Sequence, residues 1–90
     1  MTKKKRFKYS EFCDIIIDIL KNEKNGINTR HLEYLFSVRT EKHYWDGILP
    51  KLHRMRKDGL IKATYSTEGY RWWNTRDEII LNSNELIIDD

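Results

Sequence analysis

Lys51, Arg54 and Lys57 recur at intervals of three residues, with His53 and Arg56 between them and with Leu52 and Met55 in the same stretch. At 100° per residue Ile48, Leu52 and Met55 gather on one side of a helix. His53, Arg54 and Lys57 then point away from them, flanked by Lys51 and Arg56. Cations on one helix face release counterions from a phosphate backbone, and an α-helix fits the major groove of duplex DNA. Arginine matches the O6/N7 acceptor pair of guanine bidentately, so Lys51, Arg54 and His53 are the residues expected at base edges. Lys42, Lys57, Lys62 and Arg71 are expected on phosphates. Lys3, Lys4, Lys5 and Arg6 form a basic arm of the kind that follows a nucleic-acid backbone. A solvated surface helix also carries such charges, and that reading stands beside the first.

Catalysis finds little support. His31, His43, His53 and Cys13 show no metal-ligand spacing, and neither a nucleophile elbow nor a glycine-rich phosphate loop occurs. No cofactor is therefore expected, and the chain is not read as an enzyme. Cys13 has no second cysteine to pair with, which fits a reducing compartment and excludes an intrachain disulfide.

Ninety residues hold one domain. Apolar runs stop at triplets such as Ile15-Ile16-Ile17 and Leu86-Ile87-Ile88, far short of the roughly 18 residues of a membrane span. Asp14 and Asp18 interrupt the only stretch that could serve as a signal-peptide core, so a cytoplasmic location is expected. Ten Lys, eleven Ile and six Asn against a lone Ala63 are the residue usage of an AT-rich microbial or viral genome. Net charge is +3, unevenly spread. The first eight residues are strongly basic, the last fourteen are acidic, and between Arg39 and Lys62 seven cations face three acids.

The elements that must position these groups follow from periodicity. Phe12, Ile16, Ile19 and Leu20 mark one face of a first helix from Ser10 to Lys24, stopped by Asn25-Gly26. Ile27 bridges to a short second helix, capped by Asn28 or Thr29 and ending near Ser37, with Val38 anchoring a turn. Asp46 caps a third helix reaching Asp58, with Pro50 in its first turn and Gly59 as its stop. Leu60 to Tyr65 and Tyr70 to Asn74 alternate as strands around Ser66-Thr67-Glu68-Gly69, a hairpin. Thr75-Arg76-Asp77-Glu78 matches a capping box and predicts a fourth helix, although Asn82-Ser83-Asn84 could break it and leave a strand from Glu85 to Asp89.

Three helices followed by a hairpin, with Lys51-Leu-His-Arg-Met-Arg-Lys-Asp-Gly-Leu-Ile61 at the junction, resemble the recognition helix and wing of winged helix-turn-helix regulators. The resemblance covers about residues 9 to 75 and implies an α+β winged-helix domain: a three-helix bundle, a two-stranded wing and an added C-terminal helix. Residues 1 to 8 are then the arm, and 76 to 90 a helical or dimerisation segment. It also implies that residues 46 to 58 enter the major groove while the 60–74 hairpin touches backbone. The interval from Val38 to Gly59, 21 residues, is longer than is usual in that family. The extra residues include Lys42, His43, Tyr44 and Trp45.

Two functions follow. One is a sequence-specific DNA-binding transcriptional regulator, homodimeric through Leu86, Ile87 and Ile88. The other is a protein-binding adaptor or virus-encoded inhibitor that grips its partner through Tyr44, Trp45 or Trp73. Trp72 and Trp73 fall on opposite strand faces, so one is expected in the core and the other against the fourth helix, a partner or solvent. Structured RNA is a further open partner.

Overall fold

A computed structural model describes residues 8–41 and 47–88. The first helix, α1 (Tyr9–Leu20), begins where Glu11 reaches back to accept the Lys8 N–H at 3.2 Å, so the cap is Lys8, two residues ahead of the expected Ser10, which lies inside the helix. It buries Phe12, Cys13, Ile16, Ile19 and Leu20. It ends at Leu20 instead of Lys24, because successive turns through Asn22 and Glu23 lead into Gly26. Gly26 has φ +73°, and a Cβ there would sit 2.8 Å from the Trp73 ring. Gly26→Ala is expected to destabilise the domain by about 1–3 kcal/mol, from left-handed strain and the collision with Trp73 together; urea unfolding measures it.

Strand β1 (Ile27–Asn28) follows. The Asn28 side chain then accepts the His31 N–H at 2.8 Å and starts α2 (Thr29–Thr40), which selects Asn28 over Thr29, the other cap the sequence offers. This helix runs a turn beyond Ser37 and stops at Glu41, whose φ is 55°. Val38 consequently lies on an outer helix face at 56% exposure and anchors no turn. Leu32 and Phe36 face inward, and the Phe36 ring packs 5.2 Å from that of Phe12.

Helix α3 (Leu49–Lys57) is shorter than the expected 46 to 58 and has Pro50 as its second residue. The Asp46 cap lies outside the described residues; the residue before the helix is Ile48, which contributes no side-chain cap. At its far end the Leu60 N–H bonds the Met55 carbonyl and the Gly59 N–H the Arg56 carbonyl, a Schellman closure for which Gly59 supplies φ +78°. Ile48, Leu52 and Met55 are all buried, as their spacing requires.

Strands β2 (Ile61–Ser66) and β3 (Gly69–Asn74) form the expected hairpin, in register from Ile61 opposite Asn74 to Ser66 opposite Gly69. The fourth helix does not form. In its place an irregular segment leads to a last strand, β4 (Leu86–Ile87), within the Glu85 to Asp89 stretch that the Asn82-Ser83-Asn84 break leaves as the alternative. The reason is tertiary. Asn74 accepts the Arg76 N–H on its side chain and the Asp77 N–H on its carbonyl, a turn that pre-empts the Thr75 cap. Arg71 and Glu85 then hold the segment extended through the bonds described below. The four strands make one antiparallel sheet in the order β1-β3-β2-β4. Ile61, Ala63 and Trp72 join the helical core on one face, and Thr64 and Trp73 are buried on the other. No described helix is long and apolar enough to cross a membrane.

Candidate nucleic-acid interface

The three central cations of α3 have different fates. Arg54 is exposed, and its guanidinium lies 3.9 Å over the Tyr9 ring. Tyr9 is itself fixed by donating its hydroxyl proton to Asp58 at 2.7 Å. Burial pushes the Tyr9 phenol above its ordinary range, and the bond to Asp58 adds to the rise. The platform under Arg54 thus stays a neutral aromatic, and stacking on it limits the wandering of the side chain. Lys57 is exposed one turn further on, and Lys62 is exposed on β2. Arg56, Lys57 and Lys62 line one groove together with Ile61, Ile87 and Ile88. Among the described residues the ion pairs are Arg39 with Asp18 and Arg71 with Glu85, so Arg54, Lys57 and Lys62 keep their charge toward solvent.

Lys51 and His53 sit on the flanks of this face. The Lys51 ammonium is half-buried, 5.3 Å over the Phe12 ring. The His53 imidazole turns toward the hairpin and makes edge contacts at 4.7 Å with Tyr70 and 5.2 Å with Trp72. Of the three side chains expected at base edges, Arg54 alone is exposed, with its guanidinium resting on the Tyr9 ring.

Arg71, expected on a phosphate, is a structural tie instead. Its guanidinium donates to Glu85 at 2.9 and 2.5 Å, to the Asn25 carbonyl at 2.8 Å and to the Ile80 carbonyl at 3.0 Å, while stacking 4.4 Å over the Trp73 ring. Trp73, expected as an interface aromatic, is fully buried beneath it. The Trp73 indole N–H donates to the Thr64 hydroxyl at 3.0 Å, and that hydroxyl donates to Glu85 at 2.6 Å. Burial alone would push the Glu85 carboxyl up; Arg71, Thr64 and the Asn82 N–H outweigh it and hold the group at about 2. In the sequence Glu85 falls within the acidic last fourteen residues. The signal that could have marked its role was an arginine next to a tryptophan on a strand, opposite a threonine, since Thr64 pairs with Arg71 in the register.

Lys3, Lys4, Lys5, Arg6, Lys42, Tyr44 and Trp45 lie outside the described residues. Leu86 and Ile87 are exposed, and Ile88 is half-buried against the core. Cys13 is buried, which pushes its thiol up and away from the nucleophilic form. Among the described residues no group of three or more His, Cys, Asp or Glu is placed to hold a metal ion.

These observations define a small α+β domain of three helices and a four-stranded antiparallel sheet. Compared with protein-family models, curated proteins and solved structures, the chain matches none.

Proposed function

We propose that this domain is a winged-helix DNA-binding module acting in transcription regulation, with α3 in the major groove and the β2–β3 hairpin as its wing. The observation that carries this reading is the exposure of Arg54 and Lys57 on α3 and of Lys62 on β2, with Lys57 and Lys62 lining one groove, and none of the three has an ion-pair partner among the described residues. The element order α1-β1-α2-α3-β2-β3 supports it, since α3 is backed by the core along Ile48, Leu52 and Met55 and presents its other side outward. Arg54 is the base-reading residue, held ready by Tyr9, and Lys57 and Lys62 bind phosphate. A protein-binding role through Trp73 loses its anchor, because that ring is inside.

Fluorescence anisotropy with duplex DNA tests the reading. Affinity is expected to fall steeply between low and physiological salt. Lys57→Ala and Lys62→Ala should each reduce the slope of log K against log salt by about 1. Arg54→Ala should cost about 1–3 kcal/mol on a selected site and flatten the preference among sequences. Binding that ignores salt, or that survives the Lys57→Ala, Lys62→Ala double change, would refute it.

A further inference from the structure

Strand β4 is the last in the sheet, and its outer edge is bare among the described residues. The Ile88 N–H donates to the Ala63 carbonyl at 3.0 Å, and Leu86 stands opposite Tyr65. In an antiparallel ladder alternate residues turn their backbone groups to the same side. Positions 86 and 88 therefore face β2, and the N–H and C=O of Ile87 face the open side. Edges of this kind are ordinarily guarded by charges, proline or a bulge. Beyond the shortness of β4, none is present from Ile79 to Ile88, where the one charged residue is Glu85, buried in its pair with Arg71; Asp89 and Asp90 follow in the sequence. Leu86 is 71% exposed, Ile87 53% and Ile80 65%, with Leu81 and Tyr65 also prominent. Ten consecutive residues without an exposed charge, in a chain that is 34% charged, form a surface depleted in charge as interface centres are.

We infer that this edge pairs with the same edge of a second copy, Ile87 opposite its equivalent about a two-fold axis. Self-pairing follows from the geometry. An antiparallel hydrogen-bonded pair exchanges two N–H to C=O bonds between the facing residues, so one residue with both groups outward is complementary to itself. No charged group exposed on this stretch opposes the approach of two copies that each carry +3. Leu86 stands opposite Tyr65 and Ile87 opposite Thr64, so the exposed apolar side chains of β4 flank the edge on both faces of the sheet and a paired second copy would cover both. The product is an eight-stranded sheet with β4 against β4 at its centre. Its two-fold axis is perpendicular to the sheet, so the helices of both copies lie on one side. The inference is independent of the DNA reading.

Sedimentation equilibrium of the full chain tests it. The expected result is a mass that rises from 11.0 kDa toward twice that value as concentration increases from micromolar to submillimolar. Leu86→Lys and Ile87→Lys should each weaken association by about tenfold or more. Both side chains are exposed, so the circular dichroism and melting of dilute protein should not change. Hydrogen exchange supplies a backbone readout: the Ile87 amide should slow as concentration rises. A chain that stays at 11.0 kDa throughout, a dimer that persists in both lysine variants, or an Ile87 amide indifferent to concentration would each overturn the proposal.

Discussion

Arg71→Met is expected to destabilise the domain by about 3–5 kcal/mol, because it leaves the buried carboxylate of Glu85 without its counter-charge. Total stability for a chain of this size is roughly 5–13 kcal/mol, so the variant should be visibly damaged in urea or thermal unfolding. Adding Glu85→Leu to Arg71→Met should recover part of the loss, since the unpaired charge is then gone; the recovery separates charge burial from lost packing. An acid titration reads the same pair. The folded-state value of about 2 lies below the ordinary 4.5, so this stabilisation is complete above pH 4.5 and is lost as pH falls from there through 2. It amounts to roughly 3 kcal/mol. In the Glu85→Leu, Arg71→Met double variant that portion of the acid sensitivity should disappear. An Arg71→Met protein as stable as the parent would remove the pair from the account of the fold.

Trp73→Ala is expected to cost about 3–5 kcal/mol as well, lowering Tm by more than 10 °C. The indole is fully buried on the sheet face opposite the helices, between Arg71 and Gly26. Its removal opens a void beside the sheet and takes away the indole N–H bond to the Thr64 hydroxyl, which keeps its own bond to Glu85. Trp73→Phe retains most of the volume and should lose less. Scanning calorimetry of the two variants gives the comparison. If Trp73→Ala melted like the parent, the ring would not be part of a packed face, and an interface role would return.

The helical half of the fold was largely legible because its periodicity is strong. The burial of Phe12, Ile16 and Ile19 and of Ile48, Leu52 and Met55 follows from spacing, and Asn28 declares its cap. The hairpin was equally plain from its alternation and Gly69. The segment after Asn74 was not. Thr75 and Glu78 form a sound local helix signal, and it was overruled by an ion pair between residues fourteen apart, which no local window contains. Charge patterning identified Arg54 and Lys57 correctly as outward, but it cannot distinguish a solvated cation from one engaged by its own fold. Arg71 and His53 were misplaced for that reason: the first is enclosed by carbonyls and a carboxylate, the second by the rings of the hairpin. Trp73 was misjudged because alternation assigns a side chain to a sheet face without saying whether that face is covered.

The bonds from Arg71 to Asn25, Ile80 and Glu85 also set a timetable for synthesis. A ribosome delivers the chain from its amino end, and the three helices and the hairpin emerge before Glu85 does. Until Glu85 has cleared the exit tunnel the guanidinium lacks its carboxylate, and the outer tryptophan stays incompletely enclosed. A chain cut ahead of that glutamate lacks the carboxylate that closes over the indole through Arg71 and Thr64.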